Sequence, residues 1–125
     1  MKIKIHKLYD SARLPQYASE DAMTMDLFAC INRPEKIRPG ELQKIPTGLR
    51  IEMPLGYGLF MVSRGGLYLK HKVLVANAPA VMDKTRDAEL FVILRNDGVE
   101  NFYVNPDAMI AQCYVQKAEE VEWVM

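Results

Sequence analysis

Apolar and polar positions along this chain alternate with a two-residue period in many short stretches. Residues 1–9 set the pattern, with Ile3, Ile5 and Leu8 expected inward and Lys2, Lys4 and His6 outward, which is a strand period. Asp10 to Glu20 is polar, contains Pro15 and reads as loop, whereas Asp26 to Ile31 reads as a short buried strand. Arg33-Pro34 and Arg38-Pro39-Gly40 punctuate the stretch between residues 32 and 41. Leu42 to Ile45 is a brief strand, and Pro46-Thr47-Gly48 is expected to turn into a second one, Leu49 to Met53. Pro54-Leu55-Gly56-Tyr57 is a turn before a strand over Leu59 to Val62. Ser63-Arg64-Gly65-Gly66 breaks the pattern, and Leu67 to His71 is long enough for a turn or two of helix.

Residues 73–89 organise the chain. The apolar run stops at Asn77, turns through Ala78-Pro79-Ala80, resumes at Val81-Met82 and ends in a knot of charge. Pro79 fixes its own φ and biases Ala78 toward extended geometry, so the segment is expected to form a β-hairpin that delivers Asp83 to the rim of a pocket. Beyond it, Leu90 to Leu94 is apolar at every position, so both faces should be covered. Asn96-Asp97-Gly98 is a hairpin-turn signal. Phe102 to Val104, Met109 to Val115 and Val121 to Val124 complete about ten short strands. The expected class is all-β, a sandwich or barrel with one very short helix.

Composition narrows the function. At 125 residues one domain, 1–125, is expected. Sixteen basic and sixteen acidic residues cancel, so no net field recruits nucleic acid or a membrane surface. The apolar runs are far short of a transmembrane span, and Cys30 and Cys113 are isolated, which argues against a disulfide framework or zinc cluster. A reducing cytoplasm, of a host cell if the protein is viral, is the expected compartment. The ends carry opposite charge, Lys2, Lys4 and Lys7 against Glu119, Glu120 and Glu122. These suit either cross-strand pairs or two unrelated solvated faces.

Several ordered stretches resemble the trimeric dUTPase family. Tyr17-Ala18 leads to Met23-Thr24-Met25-Asp26-Leu27 where that family has a Tyr-Ala tract before Ala-Gly-Tyr-Asp-Leu. Pro46-Thr47-Gly48-Leu49 and Pro54-Leu55-Gly56-Tyr57 look like its connecting strands. Arg64-Gly65-Gly66-Leu67-Tyr68-Leu69-Lys70-His71 is similar to its Arg-Ser-Gly-Leu-Ala-Leu-Lys-His. Asn77-Ala78-Pro79-Ala80-Val81-Met82-Asp83 resembles Asn-Ala-Pro-Gly-x-Ile-Asp, and Met109-Ile110-Ala111-Gln112 resembles Arg-Ile-Ala-Gln. The resemblance implies a jelly-roll-like β-clip fold, a homotrimer with active sites between subunits, and conversion of dUTP and water to dUMP and pyrophosphate. It also implies Mg2+ held mainly by the triphosphate.

The chemistry makes its own demands. An attacking water needs a carboxylate within hydrogen-bond reach. Three phosphates need backbone N–H groups, an arginine and a divalent cation. A uracil edge offers two acceptors and one donor for backbone and amide groups. By resemblance, Asp83 aims the water, Arg64 with Gly65 and Gly66 cradles phosphate, Asn77 meets the base edge, Gln112 supports the phosphates and Asp26 orients metal-bound water. Taken alone, Asp83 fits a turn cap, Arg64 a solvated side chain, Asn77 a turn former, and Gln112 and Asp26 strand-end polar groups.

Four positions depart from the family pattern. Gly65 replaces the serine that hydrogen-bonds the phosphate bridge, a kind of contact worth about 2.7–4 kcal/mol. Arg86 stands where a tyrosine packs on the deoxyribose, followed by Asp87-Ala88 in place of Arg-Gly. Met109 replaces an arginine, and no Gly-rich C-terminal arm follows Val124-Met125. Arg86 either supplies phosphate charge or pairs with Asp87 or a neighbouring subunit. A related deaminase chemistry is not expected, because Ile93 occupies the position of its catalytic glutamate. The reading is a divergent dUTPase-like nucleotide pyrophosphatase. The alternative is a dUTPase-fold trimer without catalysis, a nucleotide-binding regulator or a phage structural protein.

Overall fold

The computed structural model describes residues 1–125. Two sheets hold the core between them. The first has the order β1-β5-β9-β7, built from Lys4–Lys7, Leu42–Glu52, Leu90–Asn96 and Val73–Val75. The second has the order β2-β3-β11-β6-β8, from Gln16–Tyr17, Met25–Phe28, Met109–Lys117, Tyr57–Val62 and Ala80–Met82. A two-stranded ribbon pairs β10, Phe102–Val104, with β4, Glu35–Ile37. Every pairing is antiparallel. Leu27, Ile45, Leu94, Val104 and Ile110 lie in one continuous buried cluster between the sheets. The all-β architecture with one short helix is therefore as expected, with eleven strands where the pattern suggested about ten.

The helix, α1, covers Gly65–His71. It stops because Lys72 adopts the left-handed region, φ 58°, while its N–H donates to Tyr68 O at 2.8 Å. Lys70 and His71 in the last turn complement the helix dipole.

Six expectations need correction. Leu8 is exposed and not inward, and Asp10 to Glu20 is not loop throughout, because Gln16–Tyr17 pairs with β3. Pro46-Thr47-Gly48 does not turn the chain. It is a register irregularity inside the continuous strand β5. Thr47 Oγ1 donates to Leu90 O at 2.6 Å and Glu89 Oε2 accepts the Gly48 N–H at 2.9 Å, so the polar groups of this bulge are satisfied. Gly48 has φ +70°, and a Cβ there would meet Cys30 Sγ at 2.7 Å. Asn96-Asp97-Gly98 does not close a hairpin either, because β10 pairs with β4 rather than β9. Asn96 is instead buried, donating from Nδ2 to Ile37 O and Glu100 O while Oδ1 accepts the Gly98 N–H. Residues 121–124 form no strand, and the segment after Lys117 is exposed throughout. Finally, the arms of the 73–89 segment do not pair with each other. β7 joins β9 in one sheet and β8 joins β6 in the other, so the segment crosses between sheets.

Candidate functional site

That crossing opens a cavity. β9 pairs with β7 through Leu94, and Ala76 N–H donates to Ile93 O at 2.9 Å. From there toward Leu90 no strand covers this edge of β9, because β8 has left for the other sheet. The resulting slot has a volume of about 190 Å³, with Met61 and Met82 among its apolar walls and Asn77, Arg86 and Glu89 as its polar lining. Main-chain groups on an unpaired strand edge can meet the edge of a planar base, and methionine walls adapt their shape.

Asp83 follows Met82 directly and is exposed. Its carboxyl is held below the usual carboxylate range because Thr85 donates to Oδ1 from its hydroxyl, at 2.5 Å, and from its backbone N–H, at 3.0 Å. Arg86 does not pair with Asp87. Its guanidinium lies 5.1 Å from the centre of the Phe91 ring, which Lys44 Nζ also approaches at 4.0 Å. Asp87 pairs with Arg50 at 2.8 Å instead.

The other candidates gather elsewhere. Gln112 of β11 sits in register between Asp26 of β3 and Val62 of β6. Arg64, just past the end of β6, reaches Asp26 Oδ1 at 3.5 Å. Asp26 is only 8% exposed, and Arg64 Nε is buried without a hydrogen-bond partner. Desolvation pushes the neighbouring Cys113 thiol up to about 12, with the Asp26 carboxylate adding to the effect. Gly65 and Gly66 are open, since a Cβ at either would meet nothing within 4 Å beyond its chain neighbours and its own helix backbone. The hydroxyl next to Arg64, that of Ser63, accepts the Val75 N–H at 2.9 Å and is thereby engaged in the fold.

One chain thus carries two separate groups. Asn77 and Arg86 line the slot and Asp83 follows its wall residue Met82, while Asp26, Gln112 and Val62 form a row on the second sheet that Arg64 reaches through Asp26. Met82 pairs with Leu59, three residues before Val62, so along the strands Asp83 is roughly 13 Å from that row. Phe60 and Tyr114, stacked at 5.5 Å, lie between the two levels. No group of three or more His, Cys, Asp or Glu side chains is arranged to hold a metal ion, and Asp26 already faces a cation. Sequence reasoning passed over Thr85, Glu89 and Phe91. Phe91 was hidden in a uniformly apolar run, and Glu89 and Thr85 in a knot of charge whose partners are distant in sequence or set by the turn.

No helix is long and apolar enough to cross a membrane. The dUTPase family profile matches residues 10–124. The deoxyuridine 5'-triphosphate nucleotidohydrolase of Rickettsia akari is 39% identical over 123 residues, covering 98% of this chain and 83% of that protein. The enzyme of the same name from Chlamydia trachomatis serovar D is 42% identical over 118 residues, covering 94% and 81%. Among solved structures, a mutant dUTPase from phage phi11 of S. aureus superposes with a TM-score of 0.89 at 16% identity, covering 100% of this chain and 96% of that one. The Staphylococcus bacteriophage 80alpha dUTPase gives 0.88 at 16% identity, covering 99% and 95%. The profile match over residues 10–124 and the near-full-length similarity to named enzymes lead to one assignment: the chain belongs to the dUTPase family.

Proposed function

We propose that this chain is a dUTP nucleotidohydrolase that converts dUTP and water to dUMP and pyrophosphate. The observation that carries the reading is the slot between β8 and β9, with Asn77 in its lining and Asp83 next to its wall residue Met82. The naming of relatives about 40% identical supports the substrate. In this reading uracil enters the slot and meets Asn77 and the open edge of β9. Asp83 accepts a hydrogen bond from a water and aims it at the α-phosphorus. A bond forms from the water oxygen to that phosphorus, and the bond to the α–β bridging oxygen breaks. Pyrophosphate leaves with the electron pair, and the water's proton passes to Asp83 and then to solvent. Mg2+ bound to the phosphates would neutralise charge developing on the leaving group. Arg64, with Gly65 and Gly66 on its flank, offers guanidinium and backbone donors to phosphate, and Gln112 supports them.

The roughly 13 Å between Asp83 and the Arg64 row favours a homotrimer in which the phosphate-binding row comes from a second copy. Two further features support association. An apolar groove of about 510 Å³, with Ile3, Ile5, Leu14, Met23, Tyr114 and Val115 in its lining, lies along the free edge strand β1. The exposed segment 118–125 carries Val121, Trp123 and Val124 to fill such a groove, with acidic residues opposite in sign to Lys2, Lys4 and Lys7. The whole chain acts as one domain, and two unpaired thiols suit a reducing cytoplasm. Gly65 in place of a serine favours the alternative, a trimer that binds nucleotide without turnover. Pyrophosphate release from dUTP with Mg2+, compared between wild type and Asp83→Asn, separates them. Turnover at the level of the variant would end the hydrolase reading.

A further inference from the structure

Asp83 is an exposed carboxylate with no ion-pair partner, so neither burial nor a counter-charge fixes its orientation. A side chain that must aim a water within a few tenths of an ångström needs another restraint. The turn after β8 supplies one. Arg86 N–H donates to Asp83 O at 3.1 Å, which closes the turn over residues 83–86. Within it, the Thr85 hydroxyl at 2.5 Å and the Thr85 N–H at 3.0 Å both donate to Oδ1 of Asp83. Neither bond uses Oδ2.

We propose that Thr85 is the positioning residue for Asp83, holding Oδ1 so that Oδ2 faces the attacking water in one orientation. The proposal rests on Asp83 as the water-aiming carboxylate. It assigns Thr85 no contact with substrate, since the residue acts through the carboxylate alone. Two donors on one oxygen also stabilise the ionised form, consistent with the lowered pKa of Asp83. A carboxylate so held is a weaker proton acceptor but stays charged further into acid. Its contribution therefore leans toward orientation of the water over early removal of its proton.

The charges around the turn do not provide this restraint. Lys84 and Arg86 belong to it, Asp87 follows directly, and Glu89 comes two residues after that. Lys4 of β1 and Arg50 and Glu52 of β5 line the adjoining cleft, and Tyr57 and Lys117 end the neighbouring strands β6 and β11. None of them forms an ion pair with Asp83. Thr85 is the side chain that binds it.

The test compares Thr85→Ala and Thr85→Ser with wild type in dUTP hydrolysis with Mg2+ across the acidic range, alongside a carboxyl-carbon NMR titration of Asp83. Thr85→Ala keeps the backbone donor and removes the hydroxyl. It is expected to lower kcat on the order of tenfold with KM nearly unchanged and to move the acid limb of the rate profile to higher pH. The Asp83 titration should move upward with it, and Thr85→Ser should restore all three. Wild-type kcat and acid limb in Thr85→Ala, or a Thr85→Ser variant as impaired as Thr85→Ala, would overturn the proposal. If wild type does not hydrolyse dUTP, the enzyme reading fails and the titration still decides whether Thr85 controls Asp83. An unmoved Asp83 titration in Thr85→Ala overturns the proposal in either case.

Discussion

Arg64 Nε stands 3.5 Å from Asp26 Oδ1, an ion pair without hydrogen-bond geometry at that buried N–H. Nε is thereby turned to Asp26, and in the proposed reading the terminal nitrogens of this partly exposed side chain meet the phosphate oxygens. Arg64→Lys retains a charge toward Asp26 but loses the planar fork. It is expected to cut kcat/KM for dUTP by about a hundredfold with little change in Tm. Arg64→Ala should lose the same activity and also lower Tm, because Asp26 is then buried without its cation. Steady-state pyrophosphate release and thermal melts separate the two effects. Full activity in Arg64→Lys would remove the guanidinium from the phosphate site.

Asn96 ties β9 to the ribbon strand β4 and to the loop before β10 through three hydrogen bonds to backbone groups. Asn96→Leu fits the volume but leaves Ile37 O, Glu100 O and the Gly98 N–H without their partner. The expected destabilisation is about 2–4 kcal/mol. Urea unfolding measures it, and an unchanged midpoint would mean that the loop re-satisfies those groups.

Much of this architecture is legible in the alternation of side chains, because a half-buried strand must place every second residue inward. Ile45, Leu59, Leu94 and Val104 announce their elements in that way. What alternation cannot reveal is partnership. β7 and β8 read as one hairpin because the turn at Ala78-Pro79 is locally correct for it, while pairing with β9 and β6 depends on strands far along the chain. The Thr47–Gly48 irregularity was hidden for the same reason. Pro and Gly signal a turn locally, and only Leu90 O and Glu89, over forty residues away, let the strand continue. Asp83, Asn77, Arg64 and Gln112 could be singled out as ordered motifs. That they fall into two groups is a property of sheet order, which no motif records.

Three exposed carboxyls, Glu52, Asp83 and Asp97, are held below their ordinary values, chiefly by His6, Thr85 and Arg95 respectively. A depressed carboxyl contributes stability that is fully present above its unfolded-state pKa and is lost as pH falls through its lowered folded-state value. Stability should therefore hold near neutrality and decline only in the acidic range below the normal carboxylate titration. In Asp97→Asn the decline should be shallower, since one of those protons no longer matters. Denaturant midpoints at a series of acidic pH values test this. Parallel curves for wild type and variant would show that the Arg95–Asp97 bonds, at 2.6 and 3.1 Å, contribute nothing to the acid response.

Arg86 lines the slot and spreads over Phe91, where the family pattern has a tyrosine on the deoxyribose. A flexible cation closes against a ribose hydroxyl less firmly than a flat ring does, and its donors can pair with that hydroxyl. Arg86→Tyr is therefore expected to raise the dUTP over UTP preference in kcat/KM by about ten- to a hundredfold. Kinetics with the two nucleotides give the answer, and an unchanged ratio would place Arg86 away from the sugar.

Trp123 is the single tryptophan and is 89% exposed in one protomer. Val121, Val124 and Met125 beside it are exposed as well, an arrangement that leaves a large apolar area in water if the chain stands alone. The edge strand β1 offers unpaired backbone groups, a basic flank and an apolar groove, which together match an acidic, apolar, extended segment from a neighbour. Trp123 emission should then be blue-shifted at working concentration and move to the red on dilution, in step with dissociation seen by sedimentation. Deleting residues 118–125 should yield monomers and abolish dUTP hydrolysis, because Asp83 would lose the Arg64 row of its partner. A deletion variant that stays trimeric would exclude the tail as the tether. One that is monomeric and fully active would show that a single chain closes the roughly 13 Å between the two groups by itself.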